Sequence, residues 1–307
     1  MSLSRLATRV FDTPLLISEA KAIAFLAGIG GRLVDGGVVL PAGSIGTDHV
    51  AFSGGRIDPS LGKLGDKLGQ RMARRGQAPF DMIGSVAVIP VEGTLVRKGG
   101  YVGSSSGETS YEGLQTQVAA ALSNDAVRGV VFEVDSFGGE AAGAFETSDL
   151  IHQLSAAKPT LSILTDFAMS AGYLMASAAR QIVMPEFGRA GSIGVLRIHA
   201  DMSRKLANDG VTVTLITAGK HKADGSPFQP LPADVADSMR ADAEAMRQVF
   251  AGKIGQYRTG RISAAGALAT EAADFSAADS VRLGLADGIG NSQQAFAAFV
   301  SAINNKR

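Results

Sequence analysis

From Asp81 onward, short apolar runs alternate with helical patterns, and this alternation limits the fold more than any other feature of the sequence. The runs Ser85–Val91 and Gly129–Val134 are almost wholly apolar, which is typical of strands buried on both faces of a sheet. Further strands are predicted over Thr160–Leu164 and Val211–Thr217. Strands that alternate with helices favour an α/β fold with a largely parallel sheet.

The predicted helices lie between these strands. Their periodicity places them at Ser110–Leu122, Ala141–Leu154, Ser170–Ala179 and, as a long amphipathic helix, Pro232–Arg258. The segment Lys98–Gly113 is rich in Gly and Ser, so we predict a loop beside a site there.

The first part of the chain has a different character. It has one helix-like segment near Ser18–Leu26, then a Gly-rich region and a polar stretch, Gln70–Gln77, which we interpret as a linker. We therefore predict three parts, an N-terminal extension over 1–80 that serves as a docking or pro-segment, a catalytic domain over 81–290 and a tail over 291–307.

The apolar stretch Leu15–Gly31 is too short to span a membrane and carries the charges of Glu19 and Lys21. We interpret it as an amphipathic helix, and we predict a cytoplasmic protein without a membrane span.

Composition excludes several classes of function. The 307 residues include no Cys, so disulfides and thiolate chemistry are absent. Lys and Arg together number 29, as do Asp and Glu, and no basic run predicts a nucleic-acid partner. The His residues do not have metal-ligand spacing, and we expect no metal; they are His49, His152, His199 and His221.

The segment Asp135–Gly139 follows a buried strand and precedes a helix. Its two adjacent glycines, Gly138 and Gly139, allow a sharp turn that exposes backbone N–H groups, as an oxyanion hole requires. A plain strand-to-helix turn is the alternative.

Ser170 lies where the strand Thr160–Leu164 gives way to a helix, and small residues flank it. This position is similar to a nucleophile elbow, although the G-x-S-x-G motif itself is absent. The alternative is an N-capping serine without a catalytic role.

The segment Gly219–Asp224 follows the predicted strand Val211–Thr217 and contains Lys220, His221 and Lys222. A serine nucleophile needs a base, and a desolvated lysine can take the place of histidine. A solvated surface turn is the alternative. If 219–222 is extended, His221 and Lys222 point to opposite sides, so only one can face the serine.

Together these motifs resemble the signal peptide peptidase A family of serine peptidases. The matching segments occur in the family's order, within about residues 81–290, and are SVAVIPVEGTL (85–95), VDSFGG (134–139), MSAGYLMAS (169–177), GSIGV (191–195), GKHKADGSPF (219–228) and DSVRLGLADGIG (279–290). The resemblance implies a Clp/crotonase-like fold of repeated β-β-α units.

The resemblance also implies roles for individual residues. Ser170 is matched to the nucleophile and Lys222 to the base, because Lys222 precedes the small residue and the Ser-Pro-Phe stretch. Ser192 is matched to a hydroxyl that orients the lysine, and Gly138 with Gly139 to the oxyanion hole. The family implies no cofactor, and it implies a homo-oligomer because its members assemble into rings.

The opening of the chain resembles the phage branch of this family. Residues 5–25 contain Phe-Asp-Thr-Pro followed by an apolar helical pattern, as in minor capsid proteins that mature the phage head. This resemblance predicts an endopeptidase of the host cytoplasm or the assembling prohead that cleaves scaffold protein, portal protein or its own chain. The alternatives are a catalytically idle structural protein of the phage head and a crotonase-like acyl-CoA enzyme.

Overall fold

The computed structural model describes residues 13–17, 66–97, 99–105 and 107–305. These described residues divide into two compact units, one with its residues within 16–17, 66–194 and 247–305, and the other within 13–15 and 195–246. We call the first the sheet unit and the second the 195–246 unit. The predicted helix near Ser18–Leu26 lies outside the described residues, and the predicted boundaries near 80 and 290 stay predictions.

The strands of the described residues are, in chain order, β1 (Leu15–Ile17), β2 (Asp81–Ile83), β3 (Val86–Val96), β4 (Ser104–Ser105), β5 (Glu108–Ser110), β6 (Gly129–Glu140), β7 (Thr160–Met169), β8 (Gln181–Met184), β9 (Arg189–Gly191), β10 (Asp274–Ser276) and β11 (Gly288–Ile289).

The described helices are α1 (Lys67–Arg74), α2 (Tyr111–Ser123), α3 (Ala144–Ala157), α4 (Ala171–Ser177), α5 (Ser203–Asn208), α6 (Ala233–Tyr257), α7 (Ala264–Leu268), α8 (Ala277–Arg282) and α9 (Ser292–Asn304). None of them is long and apolar enough to cross a membrane.

The strands form one mixed sheet with the order β10-β9-β7-β6-β3-β5-β4. Its centre is parallel, because β3 pairs with β6 and β6 pairs with β7 in the same direction. Strands β8 and β9 also pair with β7 in parallel. Helices α2, α3 and α4 follow β5, β6 and β7 along the chain. The predicted α/β class with a largely parallel sheet is confirmed.

Irregularities divide the long strands into two segments. The β3–β6 register shifts between Glu92 and Thr94, and the β6–β7 register shifts between Val134 and Ser136. Past these bulges, β7 changes its outer partner from β8 to β9. The repeating element of the fold is therefore a pair of strand segments followed by a helix, which agrees with the predicted β-β-α repeats.

The C-terminal helix α9 packs on the sheet. Ile303 belongs to a core cluster with residues from three central strands, and this cluster consists of Val86, Val131, Leu161, Ile163 and Ile303. Phe296, Phe299 and Val300 pack against it. Fully burying one such aliphatic side chain contributes about 1.5–3 kcal/mol, so the segment predicted as a tail contributes to the core.

Three local predictions differ from the structure. Val211–Thr217 is exposed and forms no strand, because β-branched residues favour a strand only where a neighbouring strand supplies hydrogen bonds. The predicted linker Gln70–Gln77 is mostly helix α1, which Asp66 caps by accepting the Gly69 N–H at 3.0 Å.

The predicted loop Lys98–Gly113 contains the short β4–β5 hairpin and the start of α2. Ser110 holds its ends together, because its hydroxyl lies 2.8 Å from the Gly99 carbonyl oxygen and accepts the Gly113 N–H at 2.9 Å.

A buried ion pair joins the end of α6 to the segment before β11. The Arg258 side chain is 0% exposed, and its Nη1 lies 2.8 Å from the Asp287 carboxylate. Asp287 also pairs with Arg261 and accepts the Ile182 N–H at 2.8 Å. Burial, the largest single cause, would raise the pKa of Asp287, but the hydrogen bond and charge of Arg258, the Ile182 N–H and the charge of Arg261 together outweigh it and lower that pKa.

We expect Asp287→Asn to lower the free energy of unfolding by about 3 kcal/mol at pH 7, because it leaves the buried Arg258 guanidinium without a counter-charge. Asp237→Asn, which breaks an exposed pair with Arg240, should cost less than about 1 kcal/mol. Chemical denaturation of the wild type and both variants measures these differences. Equal effects of the two substitutions would contradict the assignment of Asp287 as a structural anchor.

The contribution of Asp287 to the free energy of unfolding should also depend on pH. Because its pKa is lower in the folded chain, the contribution is complete above the unfolded carboxyl pKa of about 3.9. It should disappear as the pH falls through the folded value, so the gap between wild type and Asp287→Asn should narrow in acid.

Candidate active site

The ends of β7 and β9 place two of the predicted site residues side by side. The strands run parallel, with Met169 opposite Gly191, and Ser170 and Ser192 directly follow this pair. The Ser170 N–H donates to the Gly191 carbonyl oxygen at 2.8 Å. Because neighbouring parallel strands end at the same edge of a sheet, Ser170 and Ser192 leave it together.

The backbone of Ser170 turns sharply between strand and helix. Its φ of 54° and ψ of −121° lie in a region that residues other than glycine rarely adopt. A sharp strand-to-helix turn of this kind is what a nucleophile elbow requires, and the assignment of Ser170 as a nucleophile stays a prediction. Strain of this kind costs about 1–3 kcal/mol, and it persists where the surroundings hold it for a functional reason.

The Ser170 hydroxyl is buried and lacks a hydrogen-bond partner among the described residues. It makes no capping hydrogen bond to α4, although Ser170 occupies the capping position. The alternative of a simple N-cap is therefore contradicted. Leaving a buried hydroxyl unpaired costs about 1–3 kcal/mol, which suggests that this group serves chemistry rather than stability.

Gly138 and Gly139 lie where backbones approach too closely for a side chain. Gly138 has a φ of 97°, and a Cβ there would lie 2.0 Å from the Leu16 carbonyl oxygen and 3.0 Å from the Ala171 nitrogen. A Cβ on Gly139 would lie 1.9 Å from the Leu95 carbonyl oxygen. Both positions therefore require glycine.

The amide of Gly138 already has an acceptor. It donates to Ser136 Oγ at 3.1 Å, and that hydroxyl donates to the Gly93 carbonyl oxygen at 2.7 Å. The amide of Ala171, which follows Ser170, opens α4 and so has no acceptor within the helix. Ala171 is a candidate donor that the sequence analysis missed, although the residue after the nucleophile supplies an amide in other elbows.

Leu16 is the second residue that the sequence analysis missed. Strand β1 pairs with β6, and the Leu16 side chain is 0% exposed. The stretch Leu15–Gly31 was predicted to be an amphipathic helix, and over Leu15–Ile17 that prediction is wrong. An apolar run reveals its own periodicity but not the distant strand with which it pairs.

Lys222 belongs to the 195–246 unit, where it is exposed. Its N–H donates to the Gly219 carbonyl oxygen at 3.2 Å, so residues 219–222 form a turn and the extended arrangement is wrong. His221 Nδ1 lies 2.9 Å from the Asp224 carboxylate. The pairing of Lys222 with Ser170 stays a prediction from the motif.

Among the described residues, no three His, Asp or Glu side chains lie close enough together to hold a metal ion.

The family comparison matches the region that contains this site. The model of peptidase family S49 matches residues 152–304, which include Ser170, Ser192 and Lys222. The capsid assembly protease C of Escherichia phage lambda is 34% identical over 306 residues, which are 100% of this chain and 67% of that protein. The chain belongs to peptidase family S49.

Other S49-like relatives extend the likeness to phages and cells. The head-tail preconnector protein GP5 of Enterobacteria phage P21 is 34% identical over 304 residues, covering 99% of this chain and 58% of that protein. The putative protease MJ0651 of Methanocaldococcus jannaschii is 28% identical over 175 residues, which cover 56% of this chain and 55% of that protein. The predicted family and its phage branch are confirmed, and this S49 chain spans about three fifths to two thirds of the two phage proteins.

Among solved structures, an enoyl-CoA hydratase from Mycobacterium smegmatis has 13% identity and a TM-score of 0.44, over 73% of this chain and 74% of that one. A point mutant of ClpP1 from Listeria monocytogenes has 15% identity and a TM-score of 0.40, over 67% of this chain and 92% of that one. These neighbours come from the crotonase and Clp folds that the sequence predicted, and they say nothing about activity.

We expect Gly138→Ala to lower the free energy of unfolding by about 1–3 kcal/mol, because the methyl group would meet the Leu16 carbonyl oxygen at a strained φ. Gly252→Ala is the matched control, since no atom lies within 4 Å of its Cβ position on helix α6. The control should raise stability by about 0.5–1 kcal/mol. Urea denaturation measures both changes, and an unchanged midpoint for Gly138→Ala would refute the close approach.

Proposed function

We propose that this S49 chain is a serine endopeptidase that cleaves through an acyl-enzyme on Ser170, with Lys222 as the base. The observation that carries the proposal is the buried Ser170 hydroxyl, which lies on a strained turn and has no hydrogen-bond partner within the described part of the chain. Membership of a peptidase family supplies the reaction class, and the position of Ser192 beside Ser170 supports the motif assignment.

In this mechanism Ser170 Oγ attacks the peptide carbonyl carbon while neutral Lys222 accepts its proton. The C–N bond then breaks, and the proton passes to the leaving amine. Water hydrolyses the ester in the second half of the reaction and restores the hydroxyl. Ser192 orients the lysine, so it is a positioning residue.

The developing oxyanion needs backbone N–H donors near Ser170. The resemblance assigns Gly138 and Gly139 to this role. The amide of Gly138 is bonded to Ser136 Oγ, and the Ala171 nitrogen lies within 3.0 Å of the Gly138 Cβ position. We therefore add the Ala171 N–H to the proposed oxyanion hole.

The names of the two phage relatives, a capsid assembly protease and a head-tail preconnector protein, support a role in phage head maturation. The proposed substrates are scaffold and portal proteins, cut in flexible segments. We also propose that the peptidase works without a cofactor as a homo-oligomer in the host cytoplasm or the prohead, and that residues 1–80 are its docking or pro-segment.

We expect Ser170→Ala to reduce cleavage of casein by about 10⁴-fold or more, because the nucleophile is lost while the oxyanion donors remain. Its denaturation midpoint should stay close to that of the wild type. A serine-reactive probe should label the wild type only, which separates an active peptidase from an idle structural protein. Near wild-type cleavage by the alanine variant would rule out the proposed nucleophile.

We expect Lys222→Arg to lower the rate by about 10²–10⁴-fold, because a guanidinium does not give up its proton and so provides no base. Lys220→Ala is the matched control, since Lys220 lies two positions earlier in the same turn and is also exposed. It should cleave casein like the wild type. An essential Lys220 with a dispensable Lys222 would show that the motif has been aligned in the wrong register.

A further inference from the structure

The sheet unit holds an extended piece of its own chain against the end of β6, the strand that carries Gly138. This piece is Leu16 and Ile17 of strand β1, which pairs with β6. Leu16 is completely buried, at 0% exposure, although it comes from a part of the sequence far from the peptidase motifs. Addition of an extended peptide to a strand is a common way for a protein to bind a peptide.

The main-chain carbonyl of Leu16 lies beside the proposed oxyanion donors. Its oxygen is 2.0 Å and its carbon 3.0 Å from the Cβ position of Gly138, and the Ala171 nitrogen is 3.0 Å from the same point. The Leu16 carbonyl oxygen and the amide that follows Ser170 therefore both border the same point above Gly138. In peptide hydrolysis, the carbonyl under attack must lie near both the nucleophile and its N–H donors.

The proposed nucleophile, the Ser170 hydroxyl, has no competing hydrogen bond among the described residues. The Ser170 hydroxyl is buried and has no hydrogen-bond partner among the described residues, so it is not held away from an incoming carbonyl. The strand pairing and the position of the carbonyl indicate an extended peptide bound at this edge, and among the described residues the hydroxyl beside it has no other hydrogen bond to give up.

We propose that Leu15–Ile17 is bound as the enzyme's own substrate and that Leu16–Ile17 is a self-cleavage bond, an inference that rests on Ser170 being the nucleophile. Ser170 Oγ forms an ester bond with the Leu16 carbonyl carbon while the hydroxyl proton goes to the base. The Leu16–Ile17 C–N bond breaks, and Ile17 nitrogen takes that proton to become a free amine. Water then hydrolyses the ester, leaving residues 1–16 with a carboxylate on Leu16.

The inference also names the class of substrate that this site prefers. The residue before the cut is a leucine whose side chain is entirely buried, so the site takes a large apolar side chain there and excludes a charged one. Until it is cut, β1 covers the end of β6 where an outside peptide would bind, and so it competes with other substrates.

The test uses intact mass and N-terminal sequencing of the full-length chain during purification and storage. The wild type should lose residues 1–16 and gain an N-terminal Ile17, whereas Ser170→Ala should keep its whole length. Leu16→Asp should remain uncut, and Leu16→Met, which preserves size and apolarity, should be cut like the wild type. A cut at the same bond in Ser170→Ala would overturn the inference, because another protease would then be responsible.

A synthetic peptide with the sequence of residues 11–22 keeps the test independent of how the variants fold. Wild-type enzyme should cut it between Leu16 and Ile17, at least tenfold faster than the same peptide with Asp at position 16. If the wild type cleaves casein through Ser170 but leaves this bond intact in both chain and peptide, the inference fails while the proposed function stands. If casein cleavage does not depend on Ser170, the proposed function itself fails.

Discussion

The parallel alignment of β6, β7 and β9 is the constraint on which the site depends. Parallel neighbours end at the same edge, so Ser170 and Ser192 follow the ends of adjacent strands, although Met169 and its partner Gly191 are 22 positions apart along the chain. The bulge between Val134 and Ser136 changes the register of β6 just before Gly138. Such bulges re-aim a strand locally, and here the bulge precedes the glycine whose Cβ position lies 3.0 Å from the Ala171 nitrogen.

Close contact between backbones is the second requirement. A Cβ on Gly172 would lie 2.6 Å from the Ser136 carbonyl oxygen, so the first turn of α4 lies almost directly on β6. This contact leaves no space for a side chain at Gly172 and so explains the glycine two positions after Ser170. The same close packing of α4 on β6 holds the Ser170 backbone in a conformation that a serine rarely adopts.

The last motif of the family acts structurally. Tyr173, on α4, donates its hydroxyl to the Leu285 carbonyl oxygen at 2.9 Å, and burial raises the pKa of that phenol. Two residues later, Asp287 holds the buried Arg258. The segment 279–290 thus helps to hold α4, the helix that follows Ser170, which gives a physical reason for its place among the motifs that carry the resemblance.

The sequence by itself determined the α/β class, the buried central strands and the turn at Ser170, because periodicity and small flanking residues are local properties. It placed a strand at Val211–Thr217 that does not form, since a strand also needs a partner. Only the tertiary structure decided that Ser170 caps nothing, that the Gly138 amide is occupied and that Leu16 lies beside it. The contact between Leu16 and Gly138 joins residues 122 positions apart, and the Ser136 hydroxyl that accepts the Gly138 N–H is itself bonded to Gly93, 43 positions away, so neither arrangement follows from a local pattern.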